Sequence, residues 1–221
     1  MREPFLRFLV IIHERTNSRL QGPMTNSMSD EELMAQVRSG VGDMLGVLFE
    51  RYHVPLFNFY RKLTGDRGVS EDLVQEVFFR ILKYRHSYRV DTPFRAWMYQ
   101  IARNARLDFL RKHRSETSWE PEMSPAVEPV DTAQQSQEAV LLHSALMRIS
   151  EDKREVLVLS RFQGLKYEEI AQLLGCEVNT VKTRVHRALQ ELRQIFHQLE
   201  GGKLMGRKGS EGVWPNPGSV Q

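Results

Sequence analysis

Apolar residues recur along most of this chain at spacings of three and four, the period that gathers them on one side of a helix. Nowhere do they alternate long enough to build a half-buried strand. One stripe is Leu73, Val74, Val77, Phe78, Ile81 and Leu82, and Ser70-Glu71-Asp72 before it is suited to opening a helix. A second, Phe94, Trp97, Met98, Ile101, Ala102, Ala105 and Phe109, predicts a helix over about Phe94 to Arg114. Farther on, Leu165 to Cys176 reads as a short helix closed by Gly175, where left-handed backbone is needed. A tight turn follows, then a helix from Val178 whose Val181, Val185, Ala188, Leu189 and Leu192 share one narrow arc. The earliest clear start is Ser29-Asp30-Glu31-Glu32, a capping box in which Ser29 and Glu32 satisfy each other's backbone N-H groups.

Between the stripes the pattern fails once, over Ser115 to Gln137. That stretch holds Pro121, Pro125 and Pro129 and the acids Glu116, Glu120, Glu122, Glu128 and Asp131, with no Lys or Arg. It reads as an extended acidic linker. The predicted fold class is therefore all-α, with two small helical domains at residues 29–114 and 138–200 joined by residues 115–137. Residues 1–28 read as a disordered extension, with Met24 or Met28 as alternative starts. Residues 201–221 carry six of the fourteen glycines together with Pro215 and Pro217, and read as a disordered tail.

Composition narrows the class further. The 221 residues are 41% hydrophobic and 27% charged, ordinary for a globular chain. The apolar run Phe8 to Ile12 is far shorter than the roughly 20 residues of a membrane span, and no small-residue cleavage site follows it. The lone Cys176 excludes an internal disulfide and suits a reducing compartment, so a cytoplasmic protein without membrane insertion is expected. A formal net charge of +3 says little until the charges are placed on faces.

Three outward faces carry the candidate chemistry. Opposite the first stripe stand Asp72, Gln75, Glu76, Phe79 and Lys83; Phe79 either packs under a neighbouring loop or is an aromatic interface anchor rimmed by charge. Opposite the second stand Arg95, Tyr99, Arg103, Arg106, Arg111 and Arg114, which repel one another unless an anion joins them. With the aromatic loop Tyr84-Arg85-His86-Ser87-Tyr88-Arg89, this face fits single-stranded nucleic acid, whose bases stack on aromatic and guanidinium planes. Asp108 falls on the apolar arc and is expected to pair with a base inside the domain. The helix from Val178 turns Asn179, Thr180, Thr183, Arg184, His186, Arg187 and Gln190 outward, with Lys182 at the margin toward a phosphate. That is the face of a helix-turn-helix recognition helix, the bland alternative being a plain helical hairpin. No HExxH, phosphate-cradling glycine loop or nucleophile elbow occurs, and His186 and Cys176 are poorly partnered for a metal. No active site, metal or cofactor is expected.

These residues resemble the extracytoplasmic-function group of sigma-70 factors, the two-domain specificity subunits of bacterial RNA polymerase. Asp72-Leu73-Val74-Gln75-Glu76-Val77-Phe78 is similar to the polymerase-binding segment of region 2, and Phe94-Arg95-Ala96-Trp97-Met98-Tyr99-Gln100-Ile101-Ala102-Arg103-Asn104 to its promoter-melting segment. Tyr167-Glu168-Glu169-Ile170-Ala171 and Thr180-Val181-Lys182-Thr183-Arg184-Val185-His186-Arg187-Ala188 are similar to the region 4 helix-turn-helix. The resemblance implies that Asp72, Gln75, Glu76, Phe79 and Lys83 bind core polymerase. It implies that Tyr88, Arg95, Tyr99, Arg103, Asn104, Arg106 and Arg111 hold the opened minus-ten strand. Asn179, Thr180, Lys182, Thr183, Arg184, His186 and Arg187 would read the minus-thirty-five duplex. It further implies an anti-sigma factor as a partner and a connector that threads polymerase channels, too short here for the central domain of primary sigma factors. Glu177 and Asn179 depart from the family's frequent residues at the turn. Two other readings compete: a helix-turn-helix regulator that binds duplex DNA without polymerase, and a nucleic-acid-processing enzyme, which would need clustered acids for metal near the basic helix.

Overall fold

A computed structural model describes residues 27–116 and 137–208, with side chains at 27–113 and 138–201. Most of the expected N-terminal extension, linker and tail, namely residues 1–26, 117–136 and 209–221, lies outside the described residues. Among those residues every regular element is helical.

The first four helices form one bundle. Helix α1, Asp30–Ser39, opens on the capping box: Ser29 Oγ accepts from the Glu32 N-H at 3.2 Å, and Glu32 Oε2 accepts from the Ser29 N-H at 2.7 Å. Loss of such a cap costs about 1 kcal/mol. Helix α2, Asp43–Thr64, holds Pro55 in its interior, which proline punctuation alone does not foresee. A mid-helix proline costs about 3 kcal/mol, while each fully buried large apolar side chain contributes about 1.5–3 kcal/mol. Leu45, Leu48, Leu56, Phe59 and Leu63 are all buried on α2, so packing outweighs the break.

Helix α3, Arg67–Lys83, starts earlier than its sequence suggests. Asp66 is the cap, accepting from the Val69 N-H at 2.8 Å, while Ser70 is fully buried with its hydroxyl turned to the Asp66 carbonyl. Helix α4, Phe94–Glu116, borrows its cap from α1: Glu31 Oε1 accepts from the Phe94 N-H at 2.9 Å. The Tyr60 hydroxyl donates to the Ala102 carbonyl at 2.9 Å and ties α2 to α4 through the core.

The remaining helices are α5, Gln137–Arg148, α6, Glu151–Leu157, α7, Tyr167–Leu174, and α8, Val178–Lys208. A π turn over Val158–Phe162 continues α6. Helix α7 ends at Gly175, whose φ of 63° is the left-handed closure expected there, and the Cys176 N-H returns to the Ala171 carbonyl at 3.0 Å. Val181, Val185 and Ala188 of α8 are buried against Ile170 and Ala171 of α7, giving the helix-turn-helix its core. Cys176 is half-buried against the same cluster. Helix α8 continues through Gly201, Gly202 and Gly206 to Lys208, into the segment expected as tail. Extending an existing helix adds a hydrogen bond for each residue without a new nucleus.

One apolar cluster runs through both halves. Helix α2 packs on α5, α6 and the π turn, and α4 packs on α7.

Candidate nucleic-acid interface

The sequence-predicted faces meet three different environments. On α3, Phe79 is 41% exposed, with Asp72 and Lys83 exposed on the same helix. Glu76 is half-buried because Arg80 Nε holds its carboxylate at 2.7 Å. Asp72 and Glu76 place acids on the rim of this face, and the buried Leu73, Val77 and Phe78 behind it set its orientation.

On α8 the outward arc stands in water. Asn179, Lys182, Thr183, Arg184, His186 and Arg187 are exposed and Thr180 is half-buried. Thr183 donates its hydroxyl to the Asn179 carbonyl at 2.9 Å. Arg184 and Arg187 sit one turn apart on a rigid helix with a buried opposite face, the arrangement that carries guanidinium forks into a major groove.

On α4 the picture changes. Asn104 and Arg111 are exposed, the latter paired with Asp108 at 3.1 Å. Asp108 also binds Arg80 Nη1 at 2.8 Å, so it does pair within the domain; yet it is half exposed, off the apolar arc. Tyr88 is a correction: it is 1% exposed, its ring packs 5.0 Å from Trp97 and its hydroxyl donates to the Thr92 carbonyl at 2.8 Å. Burial pushes that hydroxyl up to about 12, with Glu31 and Asp30 adding to the shift. A ring inside the core offers no stacking surface. The loop's outward aromatic is Tyr84, 46% exposed, beneath the Lys83 ammonium.

The second half of the chain buries Tyr99 and Arg106 of the α4 face and half-buries Arg103, while Arg95 stays exposed. Tyr99 is 1% exposed, donates to the Gln163 side-chain oxygen and packs 5.2 Å from Phe59, and burial drives its hydroxyl up. Arg95 reaches the Gln163 carbonyl. Arg106 is 4% exposed with Nη2 2.7 Å from Glu151 Oε1, and Arg103 Nε lies 3.3 Å from Glu155 Oε1. The anion that the arginine stripe demanded is thus present inside the chain. Beside it, Arg154 donates to the carbonyls of Leu63 at 2.9 Å, Met147 at 2.6 Å and Ile149 at 2.9 Å, a clasp from α6 onto the end of α2. Sequence reading missed Glu151, Arg154, Glu155 and Gln163. Glu151 and Glu155, four apart on a short helix, look like solvated surface acids, and only the docking of α6 on α4 gives them partners.

Comparison with known proteins finds two family regions along the chain. Residues 48–116 match the family description Sigma-70 region 2 and residues 139–192 match Sigma-70, region 4. The chain is 32% identical over 170 residues to the RNA polymerase sigma factor CarQ of Myxococcus xanthus, covering 76% of this chain and 97% of that protein. It is 29% identical to the extracytoplasmic-function factor SigX of Bacillus subtilis, covering 69% of this chain and 84% of that one. Among solved structures it is similar to CnrH in complex with the cytosolic domain of CnrY, with a TM-score of 0.59, 27% identity and coverage of 76% and 97%. It is also similar to RpoE in complex with the anti-sigma factor NepR from Bartonella quintana, with a TM-score of 0.61, 27% identity and coverage of 67% and 94%. Among the described residues no helix is long and apolar enough to cross a membrane.

Proposed function

This chain belongs to the extracytoplasmic-function sigma factors of the sigma-70 family, and from that premise we propose how its faces divide the work of promoter recognition. It binds core RNA polymerase, recognises promoter DNA and promotes strand opening. Residues 29–114 act as region 2 and residues 138–200 as region 4, with 115–137 as the connector. Phe79, rimmed by Asp72, Gln75, Glu76 and Lys83, docks on core polymerase. Asn104, Arg111 and Arg95, joined by Arg103 and Arg106 when these are released, hold the minus-ten strand, whereas Tyr88 supports that face from within the core. Asn179, Thr180, Lys182, Thr183, Arg184, His186 and Arg187 read the minus-thirty-five duplex. CnrH and RpoE were each captured with a protein partner, which supports an anti-sigma factor for this chain. The work is placed in the cytoplasm, with DNA and polymerase, and no catalytic step is assigned to it.

The observation that carries this reading is the pair of unlike outward faces on one chain, an acid-rimmed aromatic on α3 and an exposed polar and basic arc on α8. The test is transcription from mapped promoters by core polymerase with this chain, with and without Phe79→Ala. Loss of an aromatic interface anchor costs about 2 kcal/mol or more, about thirtyfold in polymerase affinity, while duplex binding by α8 stays intact. A chain that binds duplex DNA but never polymerase would instead be the free-standing helix-turn-helix regulator.

A further inference from the structure

Asn104, Asp108 and Arg111 follow one another at steps of four and three along α4, so they share one outward face, and all three reach solvent. An acid is out of place there. Asp108 stands between two groups assigned to the minus-ten strand, where a bare carboxylate repels the phosphates that Arg111 is placed to grip. A side chain from the neighbouring helix meets this conflict. Arg80 of α3 reaches across to α4 with Nη1 2.8 Å from Asp108 Oδ2, while Asp108 Oδ1 takes Arg111 Nη1 at 3.1 Å. One carboxylate is divided between two guanidiniums, an oxygen for each.

The two guanidiniums are held unequally. Arg80 keeps only 20% of its side-chain surface, and its Nε lies 2.7 Å from a second carboxylate, Glu76 Oε1, one turn earlier on α3. Arg111 keeps 77%. A long exposed side chain loses rotamer freedom by staying on a partner in water, which leaves such a pair with little net stability. Arg80 is therefore the standing partner of Asp108, and Arg111 is the one a phosphate can take. All four side chains belong to α3 and α4, so the arrangement is complete within the first bundle.

We propose that Arg80 is a positioning residue for the minus-ten strand: by neutralising Asp108 it releases Arg111 to the phosphate backbone without touching the strand itself. The role rests on the reading of α4 as the strand-binding face. Without Arg80, the charge of Asp108 falls to Arg111, three residues on in the same helix. That pair then closes on itself, and the grip on phosphate is lost.

The test uses the holoenzyme, this chain saturated with core polymerase, and a fluorescent single strand carrying the minus-ten sequence of a mapped promoter. Strand affinity is read by anisotropy across a salt series. Polymerase binding of each variant is measured alongside, because Arg80 also holds Glu76 of the docking face. Arg111→Ala is expected to weaken strand binding about fivefold and to lower the salt slope by about 0.7, the share of one phosphate contact on a single strand. Arg80→Ala is expected to reproduce both losses and to add nothing in the Arg111→Ala background. Combining Arg80→Ala with Asp108→Asn is expected to restore affinity and slope together. A purely structural Arg80 gives the opposite result, since the second substitution would only deepen the damage.

Arg67→Ala, at an exposed arginine about 20 Å back along α3, makes the same change of net charge and is expected to move neither reading. If circular dichroism shows Arg80→Ala unfolded, Arg80→Gln, which keeps most of the stem, must show the same losses and the same rescue. Unchanged strand affinity in Arg80→Ala, losses that Asp108→Asn does not restore, or losses that persist in full in the Arg111→Ala background each overturn the positioning role while leaving α4 as the strand-binding face. Unchanged affinity in Arg111→Ala overturns that reading of α4 at Arg111, and the role of Arg80 with it.

Discussion

On α8 the side chains of Lys182, Arg184, His186 and Arg187 stand in water, whereas on α4 Arg103 and Arg106 meet carboxylates from another domain. Both helices are amphipathic, both carry an apolar stripe facing their own domain, and both turn arginines the other way. Their difference lies in what is docked on the second face. Amphipathic patterning tells which side of a helix its own domain buries, and is silent on whether a second body covers the remainder. On α4 the covered side stays polar because its contacts are ion pairs and hydrogen bonds, so it keeps the composition of a solvated or DNA-binding surface.

The largest effect that would break this comparison concerns Tyr88. Were it a stacking surface, as the aromatic loop suggests, its removal would leave stability unchanged and impair strand opening alone. Packed against Phe94 and Trp97 with its hydroxyl satisfied, Tyr88→Ala is expected to cost about 3–5 kcal/mol in urea unfolding of the chain. Tyr84→Ala, at a half-exposed ring, is expected to stay within about 0.5 kcal/mol. Equal, small losses for the two would return Tyr88 to the surface.

Tyr88 also marks where the sequence stops being legible. The helices over 73–82, 94–114, 165–174 and from 178 follow from apolar spacing because each buries its stripe against neighbours in its own domain. The capping box at Ser29 and the glycine closure at Gly175 are local chemistry, readable from a few residues. Helix α2 was hidden by Pro55, since a local rule about proline does not weigh five buried side chains against one lost bond. The exposed faces of α3 and α8 were legible for the same reason as the stripes. The contacts of α6 and the π turn with α2 and α4 were not: Glu151, Arg154, Glu155 and Gln163 lie 45 to 91 residues from the Arg106, Leu63 and Arg95 groups they meet, and no local pattern encodes that docking.

A second, intermediate effect sharpens the contrast between the two arginine faces. Arg184→Ala and Arg187→Ala are each expected to weaken binding to a minus-thirty-five duplex by about 1–3 kcal/mol, measured by fluorescence anisotropy at constant salt. Because α8's outward arc takes no part in the contacts of Glu151 and Glu155 with α4, the same losses are expected in the Glu151→Ala, Glu155→Ala background, additive within about 0.5 kcal/mol. Non-additivity would mean that the two faces are coupled and that α8 is less open than its exposure indicates.

The smallest expected effect is on pH. His143 of α5 is half-buried where α5 packs on α2, and burial, then the charges of Arg61, Lys62 and Arg154, hold its imidazole below the ordinary 6.5. Separation of the domains returns it to water, so the open chain binds the proton more readily and closure weakens as pH falls through 6.5. Glu155 works in the opposite sense. Burial raises its carboxyl above 4.5 despite the opposing pull of Arg103 and Arg106, so the closed chain is the better proton acceptor there and closure recovers at lower pH. The radius of gyration is therefore expected to pass through a maximum below pH 6.5, changing the ratio of open to closed chain by at most about tenfold per unit on either limb. His143→Asn should remove the upper limb and leave the lower one, and Glu155→Gln the reverse. A radius independent of pH in the unaltered chain would show that neither group changes environment on opening.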